Sequence, residues 1–184
     1  MERKSILALF SSLLSYPEGE WKFDANGWRL FVRCQGVEQT LAKEIESYFT
    51  DNELESLQEH YVQIFDAQSV NHLYVGYALL GEDLRRGMLL ANLKKEMDLC
   101  AIHLQREIPD HLPKLLELLA VHPDQNFTNE LCTYLILPAL SRIIEVFTPT
   151  DHVYRKLLIL LSDYLVKIYQ LNIPSSRVDV YVSS

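Results

Sequence analysis

From Ile6 to Ile168, apart from breaks at 17–37 and 67–81, apolar side chains recur at intervals of three and four residues. That is the period an α-helix needs to bury one face, whereas a strand would send successive residues to opposite faces of a sheet. A chain patterned this way buries its stripes by packing helix on helix. Only six glycines and seven prolines interrupt the 184 residues, few for the turns of a sandwich or barrel. With 48% hydrophobic and 23% charged residues, the composition is that of one compact domain needing no disulfide or metal staple. The expectation is an all-α, single-domain helical bundle over 1–184.

The first helix is marked by Ile6, Leu7, Phe10, Leu13 and Leu14 and ends before Pro17. No A-x-A cleavage site follows it, so it reads as a mature amphipathic helix rather than a signal peptide. The longest aliphatic run, Leu157 to Leu161, is far short of the ~20 apolar residues of a membrane span. Cys34, Cys100 and Cys132 are widely separated, form no C-x-x-C, and read as reduced thiols in the core. These features together predict a cytoplasmic chain that does not insert in a membrane.

Residues 17–37 hold both tryptophans, Trp21 and Trp28, and three glycines, which predicts an irregular connection whose aromatics pack onto the core. Leu41, Ile45 and Tyr48 or Phe49 mark a short helix. Thr50-Asp51-Asn52-Glu53 has the capping-box form ahead of a helix through Leu54, Leu57, Tyr61, Ile64 and Phe65. Residues 67–81 carry no charge, several aromatics and no clear period, and should be buried or line a groove. From Glu82 a long helix is signalled by Leu84, Met88, Leu89, Leu93, Met97, Ala101 and Leu104, closing before Pro109. Another follows Pro113. Asn126 or Thr128 caps the next, in which Leu131, Tyr134, Leu135, Ile143, Ile144 and Phe147 face inward and Pro138 kinks or divides the helix. Pro149-Thr150-Asp151 starts the last. Residues 178–182 alternate like a strand but have no partner strand, so 172–184 is read as a tail.

The formal charge of −8 is concentrated in residues 38–66, where Lys43 stands against eight acidic residues: Glu38, Glu44, Glu46, Asp51, Glu53, Glu55, Glu59 and Asp66. Such a field repels nucleic acid and anionic lipid and attracts a basic peptide. Gly76 to Gly81 has P-loop glycine spacing, yet Glu82 and Asp83 stand where Lys and Ser or Thr must meet phosphate and magnesium. The six histidines include no H-E-x-x-H pair, and no nucleophile elbow is present. No metal or other cofactor is therefore expected.

The strongest remaining constellation is Glu107-Ile108-Pro109-Asp110-His111-Leu112-Pro113, a rigid corner with a carboxylate beside an imidazole. Read as structure, Asp110 is a helix N-cap and His111 a polar filler. Read as chemistry, Asp110, His111 and Glu117 are the acid–base groups of a small helical enzyme.

The Pro-Asp-His-Leu-Pro run, continued by Leu116-Glu117-Leu118-Leu119, resembles the signature of the nitrate reductase delta-subunit (NarJ) assembly chaperones of the wider TorD/DmsD superfamily. Three further blocks are similar and in the same order: Ser12-x-Leu14-x-Tyr16-Pro17, Tyr61-Val62-x-x-Phe65-Asp66, and Gly81-Glu82-Asp83-x-x-Arg86-Gly87-Met88. The resemblance implies a non-catalytic helical chaperone. It would bind the N-terminal leader, or twin-arginine-type signal, of a molybdoenzyme catalytic subunit and hold it for molybdenum cofactor insertion before membrane docking or export. Contact with proteins that deliver the cofactor is also implied. By position, Pro109, Asp110 and His111 match the family's leader-binding corner. Tyr61 and Phe65 would add apolar contact and Asp66 a carboxylate for a leader arginine or lysine. Tyr74, Glu117 and an i,i+4 pair of Glu82 with Arg86 would support the groove. Ile108 stands where the TorD/DmsD branch has Glu, which favours a nitrate reductase client over another molybdenum oxidoreductase such as a DMSO reductase-family enzyme.

Overall fold

The computed structural model describes residues 2–66 and 70–169, and every named element among them is helical. In chain order these are α1 (Glu2–Leu13), α2 (Ala25–Gln35), α3 (Gln39–Thr50), α4 (Leu54–Tyr61), α5 (Val75–Leu80), α6 (Leu84–Leu99), α7 (Leu112–Val121), α8 (Gln125–Glu130), α9 (Leu137–Val146) and α10 (Val153–Ile168). A π-helical turn, Val62–Asp66, continues α4, and a second, Leu131–Ile136, joins α8 to α9. The side chain of Asp66 and the tail expected at 172–184 lie outside the described residues. No helix among the described residues is long and apolar enough to cross a membrane.

The central contact is α1 along α7; Leu7, Phe10 and Leu13 of α1 and Leu112, Leu115, Leu116 and Leu119 of α7 are all buried. On one side, α10 packs on α9 and α3. On the other, α5 packs on α9 and α6. Edge-on rings run through the core from Phe10 to Phe31 (4.9 Å) to Tyr164 (5.9 Å). A second aromatic set gathers on Tyr154, which touches Phe65 (4.9 Å) and Tyr61 (5.9 Å).

The structure corrects several local expectations. Residues 25–35 are not irregular: they form α2, with Asp24 capping through Gly27 N–H (2.9 Å) and Gly36 ending it in the left-handed conformation (φ 67°). The aromatics do pack inward, Trp28 being fully buried. The capping box does not form, because α3 runs to Thr50, whose hydroxyl donates to Asp51, and α4 begins after Glu53 with no side-chain cap. Asp124, rather than Asn126 or Thr128, caps α8 through Asn126 N–H (2.8 Å).

Pro138 sits in the first turn of α9 and has no N–H to give. The preceding turn widens into the π register, with Leu137 N–H reaching Cys132 O, and Tyr134 comes to lie 53% exposed instead of inward. The last helix starts at Val153, capped by His152 Nδ1.

The long helix from Glu82 stops at Leu99 rather than reaching Leu104, because Ala101 takes a left-handed conformation (φ 54°). Its inner face is only Leu93 and Met97, and Leu84 and Met88 are 93% and 70% exposed. The P-loop-like glycines serve α5 instead. Gly81 ends the helix (φ 61°), and a Cβ on Gly76 would lie 2.7 Å from Asp110 Oδ2.

Candidate functional site

The corner at 109–112 is tied to the segment before α5 by two antiparallel backbone bonds: Val75 N–H to Asp110 O and Leu112 N–H to Leu73 O, both 2.8 Å. This isolated bridge sets Tyr74 opposite His111. It also explains why 72–74 showed no helical period: the segment is extended.

Beside the bridge lies a cleft of about 330 Å³. Its lining includes Tyr61, Val62 and Phe65, from α4 and its π turn. His72, Leu73, Tyr74 and His111 come from the two bridged segments, while Tyr16, Glu18, Arg106 and Glu107 complete the lining. Tyr61 and Phe65 are buried, their rings 4.8 Å apart, and the Tyr61 hydroxyl is spent on Leu14 O (3.2 Å), so the cleft meets its ring. Val62 is 40% exposed.

The lining therefore joins an apolar floor to charges of both signs. A depression of about 380 Å³ between α2 and α3 is somewhat larger, with Arg29, Arg33, Lys43 and Glu46 at its edge. None of the residues singled out from the sequence as binding lies in it.

Asp110 is fully buried and does not line the cleft. Arg86 donates to it through Nε (2.9 Å to Oδ2) and a terminal nitrogen (3.4 Å to Oδ1), and the guanidinium lies 5.3 Å from the Tyr77 ring centre. The expected Glu82–Arg86 pair is thus replaced by a buried pair between α6 and the corner. One helical turn could have joined Glu82 to Arg86, but the bridge brings Asp110 to the same guanidinium from within the core. The N-cap of α7 is His111, with no side-chain cap bond, rather than Asp110.

His111 is buried, and its Nδ1 has no hydrogen-bond partner. Glu107 Oε2 lies 3.5 Å from it, close enough for a charged pair yet outside hydrogen-bond geometry. Burial, with Lys114 adding, pushes the imidazole pKa down to about 4, so the ring is neutral near pH 7 and the contact is not an ion pair. His72 is pushed in the same direction by burial and by Arg86, against the pull of Asp110. Its Nδ1 also has no hydrogen-bond partner. Tyr74 donates to Glu107 Oε2 (3.3 Å).

Glu117 is elsewhere. It accepts from Ser11 (3.3 Å) and Lys114 (3.0 Å) and ties α7 to α1. Asp110, His111 and Glu117 therefore do not share one cavity, and the acid–base reading of the three loses its geometry. Pro109 is buried beneath the corner. Among the described residues no group of His, Cys, Asp or Glu is arranged to hold a metal ion.

Sequence reasoning brought Tyr61, Phe65, Tyr74 and His111 to one place. It did not single out Glu18 or Arg106, and it named Val62, His72 and Glu107 only within longer runs; all five line the same cleft because the bridge and the α1–α2 connection come beside the end of α4.

Residues 34–154 match the family described as the nitrate reductase delta subunit. The chain is also similar to the probable nitrate reductase molybdenum cofactor assembly chaperone NarJ of Bacillus subtilis (strain 168), 33% identical over 122 residues. That alignment covers 65% of this chain and 66% of the relative's length. The family match takes in every residue of the cleft except Tyr16 and Glu18.

Proposed function

The chain belongs to the nitrate reductase delta-subunit family, and from that membership we propose that it is a molybdenum cofactor assembly chaperone for a nitrate reductase, without catalysis of its own. Its partner is the catalytic subunit. It binds that subunit's N-terminal leader in the cytoplasm and holds it until the molybdenum cofactor is inserted, ahead of membrane docking or export.

The observation that carries this reading is the cleft, whose apolar floor of Tyr61, Phe65 and Leu73 is bordered by Glu18 and Glu107. A basic and apolar segment finds there both hydrophobic contact and carboxylates for its cations. Glu55 and Glu59 are exposed and share a helical face with Val62, extending the acidic field towards the cleft. The closed corner supports a role for Pro109 and Asp110 in shaping this wall, with His111 as the group that meets the leader.

The test is co-purification from cells making nitrate reductase, using catalytic subunits with and without their N-terminal segment. The chaperone should recover the complete subunit and lose the truncated one. The Val62→Arg variant, altered at an exposed position that places a cation on the cleft wall, should recover at least tenfold less. Equal recovery of the truncated subunit, or full recovery by Val62→Arg, would sink the leader-binding reading.

A further inference from the structure

Buried side-chain polar atoms nearly always find a hydrogen-bond partner, and an exception calls for an explanation. Among the described residues two such atoms are without one, Nδ1 of His72 and Nδ1 of His111, and both belong to side chains lining the same cleft. Both are near Tyr74, whose ring centre is 6.4 Å from that of His72 and 5.4 Å from that of His111. The His111 side chain is only 5% exposed. Two unspent imidazole nitrogens thus lie near one tyrosine beside the apolar floor.

We infer that this end of the cleft recognises uncharged hydrogen-bonding side chains of the bound leader, hydroxyls or carboxamides, through Nδ1 of His72 and Nδ1 of His111. The inference rests on the leader-binding reading above and adds what the leader must present.

The chemistry selects that class of group. The charged groups around the two rings are Arg86 and Asp110 near His72, and Glu107 and Lys114 near His111. Arg86 and Asp110 satisfy each other, and Lys114 is engaged by Glu117. The rings themselves are held neutral by burial, as the lowered His72 value and the His111 value of about 4 indicate. A neutral imidazole offers at Nδ1 either an acceptor or an N–H, according to tautomer. A group able both to donate and to accept suits it whichever tautomer is present. A carboxylate would be drawn to Arg106 and held off by Glu107, 3.5 Å from His111 Nδ1, and a cation would be drawn to Glu18 and Glu107 rather than to neutral rings.

The experiment measures binding of a synthetic peptide with the N-terminal sequence of the nitrate reductase catalytic subunit from the same organism. His72→Leu and His111→Leu remove Nδ1. His72→Asn and His111→Asn keep a polar atom near its position and guard against a variant that fails to fold. Each leucine variant should weaken binding roughly three- to tenfold, the size of one neutral hydrogen bond, and each asparagine variant should restore part of it.

Alanine replacement of the peptide's serine, threonine, asparagine and glutamine residues, one at a time, should reveal a position whose loss matches that of a leucine variant. Combining the two should cause no further loss. If the leucine variants bind like the wild type, or if their losses add to those of every peptide substitution, this inference is wrong and leader binding stands. If the wild-type protein does not bind the peptide, both fall.

Discussion

Replacing Asp110 by alanine leaves the Arg86 guanidinium, whose side chain is only 19% exposed, facing the core without its carboxylate. Breaking a buried pair from one side costs about 3–5 kcal/mol. The Asp110→Ala variant should lose stability of that order in urea unfolding. An Asp110→Leu, Arg86→Met double variant should recover most of it, because neither charge then remains to be desolvated. A defect in client binding caused by Asp110→Ala therefore has to be separated from unfolding before it is assigned to contact with the leader. His111 makes a second prediction. Its folded pKa lies at about 4 against an ordinary 6.5, so between those values the unfolded chain takes up a proton that the folded one refuses. The stability tied to its neutrality is complete above pH 6.5, falls as the pH drops, and is gone below about 4, a span on the order of 3 kcal/mol. Urea midpoints compared at pH 7 and pH 4.5 should fall less for His111→Gln than for the wild type.

Each helix draws its stability from the face it buries, and α6 buries little. Leu84→Gln and Met88→Gln should change unfolding free energy by no more than about 0.5 kcal/mol, whereas Leu93→Ala on the inner face should cost about 2–5 kcal/mol. Exchange of backbone amides in the first two turns of α6 should likewise run ahead of that in α7, whose Leu112, Leu115, Leu116 and Leu118 are fully buried. At the opposite extreme the π turn after α4 is well packed, with Ile64 and Phe65 both buried while Val62 stays at the cleft. An ordinary α-turn would rotate the residues after Tyr61 relative to α4, so the wider register is part of how the cleft acquires its wall.

For the whole molecule, a formal charge of −8 sets up a field that attracts a basic peptide from a distance. Association of such a peptide should slow as salt is raised from about 0.05 to 0.5 M, while dissociation, governed by the apolar floor, should change little. Stopped-flow measurement of the two rates separates these contributions. Cohesion comes from a single core in which α1 and α7 are central and the aromatic set around Tyr154 reaches from α10 to the cleft wall at Tyr61 and Phe65. The floor of the candidate site is thus an extension of the core itself.

Helical class, most helix positions and the buried face of most helices were legible in the amino-acid order, because the three-to-four-residue period records burial directly; the exposed Leu84 and Met88 of α6, and Tyr134, were not. Trp28 and Phe31 carried that period in α2 as well, but neighbouring glycines masked it; Asp24 and Gly36 were the caps that could have revealed the helix. The resemblance also brought Tyr61, Phe65 and His111 forward as site residues, and these do share one cleft. Tertiary structure alone decided what each polar group faces. Asp110 turns to Arg86, 24 residues away in sequence, and does not line the cleft. Glu117 turns to α1, and His72 joins His111 near Tyr74. A backbone bridge of two hydrogen bonds brings that corner together. Periodicity reports which side of a helix is buried, whereas the partner of a buried charge depends on which distant segment the packed core carries to it.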